Sequence, residues 1–145
     1  MTKSLMRWES DVDVLLDTHI AIWAMSDAPA LSAAAKNVIL NGANEIFVSD
    51  ISAWEVAVKR AAKPDGMPFG AREFMEACIE SGYRWLPVTH DAIVAYEDLD
   101  YDAVGNAHRD PFDRLLIAQA KTLGMLLLTH DSILQLYGEP LVSIV

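Results

Sequence analysis

Four carboxylates stand where the chain changes from one kind of element to another. Asp17 follows the apolar run Val14-Leu15-Leu16, and Asp131 follows Leu126-Leu127-Leu128-Thr129-His130. Glu55 lies in a helical segment directly after the run Glu45-Ile46-Phe47-Val48-Ser49, and Asp113 lies in the first turn of a helix that leads into the run before Asp131. Ligands of open α/β sheets sit beyond the carboxyl ends of the strands, so acids delivered there from separate parts of the chain are candidates for one site. Hard cations such as Mg²⁺ and Mn²⁺ prefer oxygen donors, and Mg²⁺ keeps several of its waters. A few carboxylates on one rim therefore leave positions open for a phosphate and a water, whose pKa the cation lowers. Without a cation, close carboxylates repel and their pKa values rise.

Each acid also has a plainer role open to it. Asp17 and Asp131 could cap the helices that follow them. Ser52-Ala53-Trp54-Glu55 has the form of a capping box, and Glu55 with Lys59 is a favourable helical pair. Asp110 precedes Pro111, so it is expected to cap the helix whose first position proline occupies. Asp113 shares a face with Ile117 and Ala120, a stripe expected to pack on the sheet, which directs the acid along the sheet's edge. A capping acid can also hold a metal. His19, His90, His108 and His130 have no zinc spacing, although His19 and His130 follow strand ends and could approach the acids. Trp23 and Trp54 stand at helical spacing with aliphatic residues and are expected in the core.

The elements that must position these residues alternate between strand and helix, the pattern of an α/β fold with a mainly parallel sheet. Strands are expected at residues 12–16, 45–49, 83–88, 125–129 and, at the end, 141–145. Helical spacing covers residues 20–25 and 31–40, the second stopped by Asn41-Gly42, and then 52–62 and 71–80. A further helix, capped by Thr89-His90-Asp91, runs to about residue 99, and a polar loop follows to Arg109. The helix opened by Asp110-Pro111 ends at Gly124, and a short helix follows Asp131. No repeat or low-complexity tract interrupts the order.

A chain of 145 residues, 52% apolar, is the size of one domain with a sizeable core. No apolar run reaches the length of a membrane span, the first residues lack the apolar stretch of a signal peptide, and the single Cys78 can make neither an internal disulfide nor a cysteine-based zinc site. A soluble cytoplasmic protein is the expectation. The net charge of −10 is the wrong sign for a surface that meets phosphates directly. Acids gathered around cations would reconcile the charge with a nucleic-acid substrate. So would an acidic surface kept for a basic protein partner.

The segments Leu15-Leu16-Asp17-Thr18-His19, Ser52-Ala53-Trp54-Glu55-Val56-Ala57-Val58-Lys59, the run from His108 through Asp110-Pro111-Phe112-Asp113 to Ala120, and Leu127-Leu128-Thr129-His130-Asp131 resemble, in order and spacing, the PIN-domain family. Within it the match is to the VapC-like toxins of type II toxin–antitoxin systems. The resemblance covers the chain from about residue 12, which implies a single PIN-like domain over 12–145 and leaves 1–11 as an extension of unexplained role. It implies a three-layer α/β fold and a Mg²⁺- or Mn²⁺-dependent endoribonuclease that acts as a toxin, partnered by a VapB-like antitoxin and forming a homodimer. The family's four acids fall on Asp17, Glu55, Asp113 and Asp131, the third chosen because it stands seven residues before Ala120. Thr18, Asp110 and Thr129 would support them. A competing reading is that Asp11-Val12-Asp13-Val14 matches the nucleophile motif of haloacid-dehalogenase-type phosphatases, but there the motif follows its strand and here it precedes it. An acidic binding module without activity is the non-enzymatic alternative.

Overall fold

Val14, Leu15 and Leu16 are fully buried because they form the middle strand of a sheet covered on both faces. The computed structural model describes residues 12–145. The segment 1–11, which includes Asp11 of the phosphatase-like motif, lies outside the described residues. The strands are β1 (Asp13–Leu16), β2 (Glu45–Ser49), β3 (Arg84–Leu86), β4 (Leu126–Thr129) and β5 (Val142–Ile144). They pair in the order β3-β2-β1-β4-β5, every pair parallel. A wholly parallel sheet with both faces covered reads as continuous apolar runs, which is why Val14-Leu15-Leu16 and Leu126-Leu127-Leu128 carry no polar alternation.

Successive strand residues point to opposite faces, and two cores result. Val14, Leu16, Ile46, Val48 and Leu128 pack on one face against residues of α1 (Thr18–Ser26), α2 (Ala33–Leu40), α3 (Asp50–Ala62) and α4 (Ala71–Glu80). Leu15 and Leu127 pack on the other with Ile51, with Leu116, Ile117 and Ala120 of α7 (Pro111–Leu123), and with Leu134 and Tyr137 of a 3₁₀ segment, Ser132–Tyr137. Between β3 and α7 lie α5 (His90–Glu97) and α6 (Tyr101–Val104). The strand positions expected from sequence are present, as is the α7 stripe. None of the helices of the described residues is long and apolar enough to cross a membrane.

Three local expectations are corrected. The Ser52–Glu55 capping box is not formed, because α3 starts earlier: Ser49 is its cap, accepting from the Ile51 N–H at 3.0 Å. Trp54 is not core but 58% exposed, its ring in a T-shaped contact with Phe112 at a centroid distance of 4.9 Å. The loop before Arg109 contains α6, a single turn capped by Asp100 through the Ala103 N–H at 3.0 Å, too short to leave a periodic signal.

The strand order also locates the crevice. The chain steps outward from β1 to β2 and β3, then returns to the other side of β1 as β4. The carboxyl ends of β1 and β4 therefore flank the point where the order reverses, where open α/β sheets bind ligands.

Candidate active site

Asp17 is the first residue beyond β1 and is held there by its own backbone, whose N–H donates to Leu128 O of β4 at 2.9 Å. The carboxylate is 3% exposed. Its Oδ2 accepts from Thr129 Oγ1 at 2.5 Å, and the same hydroxyl oxygen accepts from the Asp131 N–H at 3.1 Å. One buried threonine at the end of β4 thus ties the acid after β1 to the acid after β4. Asp131 also caps the 3₁₀ segment, accepting from the Ile133 N–H at 3.0 Å, so the capping reading and the rim position hold together. Asp17 has no side-chain cap bond to α1, which removes the plainer role considered for it.

Glu55 lies one turn into α3 and is 1% exposed. Lys59 Nζ donates to its Oε2 at 2.6 Å, the helical pair expected from spacing. The start of α3 is fixed by two buried hydroxyl contacts. Ser52 Oγ meets Thr18 Oγ1 at 2.9 Å, and Ser49 Oγ donates to Gln119 Oε1 of α7 at 2.5 Å. Thr18 therefore joins the helices that follow β1 and β2, and its backbone N–H helps to stabilise the Asp17 carboxylate.

Asp110 caps α7 with bonds from the N–H groups of Phe112 at 2.8 Å and Asp113 at 3.3 Å. Gly124 ends the helix at φ 66°, a left-handed conformation that glycine adopts without strain. Asp113, in the first turn, bonds through Oδ2 to His108 Nε2 at 3.0 Å. His108, Asp113 and Asp131 each bring one possible ligand atom within 4.8 Å of the others. His108 is the residue that spacing alone did not single out. The available signal was a histidine two residues ahead of the Asp110-Pro111 cap. His19 and His130 do reach the site: with Asp17, Trp23 and Asp131 they line a shallow cavity of about 240 Å³.

The acids sense one another. Burial pushes the Asp113 carboxyl up to about 8, and Asp17, Asp110, Glu55 and Asp131 add to the rise. Burial likewise raises Asp17, with Glu55 contributing and the Thr129 bond opposing. Burial lowers the His108 imidazole, against the pull of Asp110 and Asp131. Two carboxylate oxygens, Asp17 Oδ1 and Glu55 Oε1, are buried without a hydrogen-bond partner among the described residues. Such groups are costly unless something positive or proton-bearing meets them. An all-oxygen donor set with two unmet oxygens fits a hard divalent cation.

Comparison with known proteins bears on the family and the fold. A family model, the PIN domain, matches residues 14–139. A search of curated proteins gave no match. Among solved structures, VapBC2 from Rickettsia felis, bound to a DNA fragment from its promoter, is 15% identical, covering 91% of this chain and 96% of that one with a TM-score of 0.62. DNA-bound VapBC from Salmonella typhimurium is 17% identical, covering 92% and 96%, also with a TM-score of 0.62. VapC20 of Mycobacterium tuberculosis, a toxin that cleaves the sarcin–ricin loop, is 15% identical, covering 78% and 85% with a TM-score of 0.53. At these identities the likeness is one of fold.

Proposed function

The chain belongs to the PIN-domain family, and on that premise we propose that it is a Mg²⁺- or Mn²⁺-dependent endoribonuclease acting as the toxin of a toxin–antitoxin pair. The observation that carries the reading is the pair of buried, unpartnered oxygens, Asp17 Oδ1 and Glu55 Oε1, on a rim that also holds Asp113 and Asp131. Asp17, Glu55 and Asp113 would hold the cation directly or through water, with Asp131 closing the cluster or holding a second ion. When bound, the cation neutralises the carboxylates, polarises a phosphoryl oxygen and lowers the pKa of an attacking water. Thr129 keeps Asp17 and Asp131 in register. Asp110 fixes the first turn of α7, and with it Asp113.

Because water is the nucleophile in this reading, the 2′-hydroxyl of RNA takes no part. The products carry a 5′-phosphate and a 3′-hydroxyl. Incubating the purified protein with single-stranded RNA, with Mn²⁺ or with a chelator, and then analysing the ends, tests this directly. Cleavage that persists in chelator, or 2′,3′-cyclic phosphate ends, contradicts it.

The partner follows from the same charges. A VapB-like antitoxin would place an arginine or lysine among the acids, where charge-assisted bonds to carboxylates are strong. Inhibition should weaken when that basic residue is neutralised. Self-association as a two-fold homodimer is part of the reading, supported by exposed apolar side chains such as Trp54 and Val58 on α3. Light scattering that returns a monomer mass at micromolar concentration contradicts it. The domain is taken to run over 12–145, in the cytoplasm.

A further inference from the structure

Behind Asp113 lies a chain of polar groups that the nuclease reading leaves unused. His108 is 8% exposed and Tyr137 3%. Tyr137 Oη is 2.6 Å from His108 Nδ1, and Arg114 Nε donates to the same Oη at 2.9 Å. Arg114 Nη2 also donates to His108 O at 2.6 Å, and its guanidinium lies 4.8 Å over the Tyr101 ring. The Tyr137 and His108 rings meet edge to face at 5.5 Å. Three residues from two elements and a loop thus form a linked chain that meets the Asp113 carboxylate through His108.

Donor and acceptor chemistry fixes the direction of these bonds. A guanidinium only donates, so the Tyr137 oxygen accepts from Arg114. The phenol has one proton of its own, and His108 Nδ1 stands in front of it. Nδ1 then accepts. A neutral imidazole whose Nδ1 accepts carries its proton on Nε2. That Nε2 is 3.0 Å from Asp113 Oδ2. In the opposite arrangement the Tyr137 oxygen would accept twice and its own proton would lose His108 as acceptor. Resting on the cation reading above, we propose that Arg114, Tyr137 and His108 form a one-way donor relay that fixes His108 as the Nε2–H tautomer and holds Asp113 by one oxygen, leaving the other for the cation.

The relay makes His108 a positioning residue, not a ligand, although its Nε2 lies within reach of Asp113 and Asp131. A proton on Nε2 keeps the imidazole out of the coordination sphere, so the donor set stays all oxygen and suits Mg²⁺ or Mn²⁺ over softer metals. Groups behind a ligand that fix its orientation typically change metal affinity by about 10- to 100-fold when removed.

Two measurements on the full chain test the relay. Nitrogen-15 NMR of His108, without metal and with saturating Mg²⁺, should give a protonated Nε2 and a bare Nδ1 in both states. A protonated Nδ1, or loss of the Nε2 proton on adding Mg²⁺, overturns the proposal. Calorimetric Mn²⁺ titration should find Tyr137→Phe, which keeps the ring, weakened by about 10- to 100-fold. His108→Gln, whose amide can still donate towards Asp113, should bind more tightly than His108→Leu. Wild-type affinity in Tyr137→Phe and His108→Leu alike overturns the relay alone. Absence of Mn²⁺ binding by the wild type removes the cation reading, and the relay's purpose with it.

Discussion

The two halves of the acid rim are built differently. Asp17 and Glu55 are buried to 3% and 1% exposure, and each keeps one oxygen with no partner among the described residues. Asp113 and Asp131 stand at the starts of α7 and the 3₁₀ segment, less buried, and each is engaged by its surroundings: Asp113 by His108, Asp131 by the Ile133 and Thr129 contacts. In the first pair Thr129 and Lys59 hold one oxygen of each acid, and the second oxygen of each is left unmet by the described residues. The second pair combines a place on the rim with a structural bond. Substitution should therefore separate the halves, with chemistry lost most sharply at the first and stability disturbed most readily around the second.

The largest effect is expected at the buried pair. Asp17→Asn keeps an oxygen for the Thr129 hydroxyl but removes a charge, so cleavage should fall by several orders of magnitude in a Mn²⁺-dependent RNA assay. The metal-free protein should be no less stable, because a buried carboxylate with a raised pKa is itself a burden. If Asp17→Asn cleaves normally, the division between the halves is wrong.

A smaller effect is expected from Thr129→Val, which removes the hydroxyl shared by Asp17 Oδ2 and the Asp131 N–H. Two polar groups lose a partner in a buried place, so unfolding in urea should report a loss of about 1–3 kcal/mol. An unchanged midpoint would mean that the two halves are not joined through Thr129.

The pH dependence sharpens the comparison further. In the folded protein Asp113 titrates at about 8 against an ordinary 3.8. Between those values the folded state holds a proton that the unfolded state has released. Stability of the metal-free protein should then fall as pH rises from about 4 to about 8, and level off above. His108, lowered from 6.5, tilts the curve the other way below that pH, so the comparison is made against Asp113→Asn. That variant should have a flatter profile and melt higher than wild type near pH 8. Equal slopes in both proteins would contradict the charge crowding on which the site rests.

The smallest effect belongs to Asp110. Its carboxylate caps α7, and Asp110→Ala should cost about 0.5–2 kcal/mol while Asp110→Asn keeps most of the cap. A loss at Asp110→Asn as large as at Asp110→Ala would mean that the charge, and not the cap, is what Asp110 supplies.

The halves also differ in how much of them was legible in the sequence. Asp17 and Asp131 announce themselves because a buried parallel strand is a continuous apolar run, and the acid that ends it must lie at the sheet's edge. Asp110 and Gly124 bracket α7 because proline and glycine have narrow backbone preferences. Glu55 was placed on the right helix and rightly paired with Lys59, but its capping box with Ser52 is not formed. Ser52 and Glu55 have capping-box spacing, yet Ser49 begins the helix three residues earlier, freeing Ser52 to meet Thr18 across the site. That contact joins residues 34 apart and leaves no local signal. His108 was passed over for the same reason. Its partners, Asp113 and Tyr137, are 5 and 29 residues away, and the second lies in a 3₁₀ segment with no periodicity. Trp54 obeyed helical spacing, yet its ring stays 58% exposed beside Phe112 of α7.

The central claim is that the rim's carboxylates, Asp113 among them and Asp110 not, hold a divalent cation. The rise in melting temperature on adding Mn²⁺ tests it, since an ion that binds only the folded protein stabilises it. The account predicts a clear rise for wild type, a similar rise for Asp110→Asn, and none for Asp113→Asn despite intact folding. A full rise in Asp113→Asn, or no rise in the wild type, would contradict it.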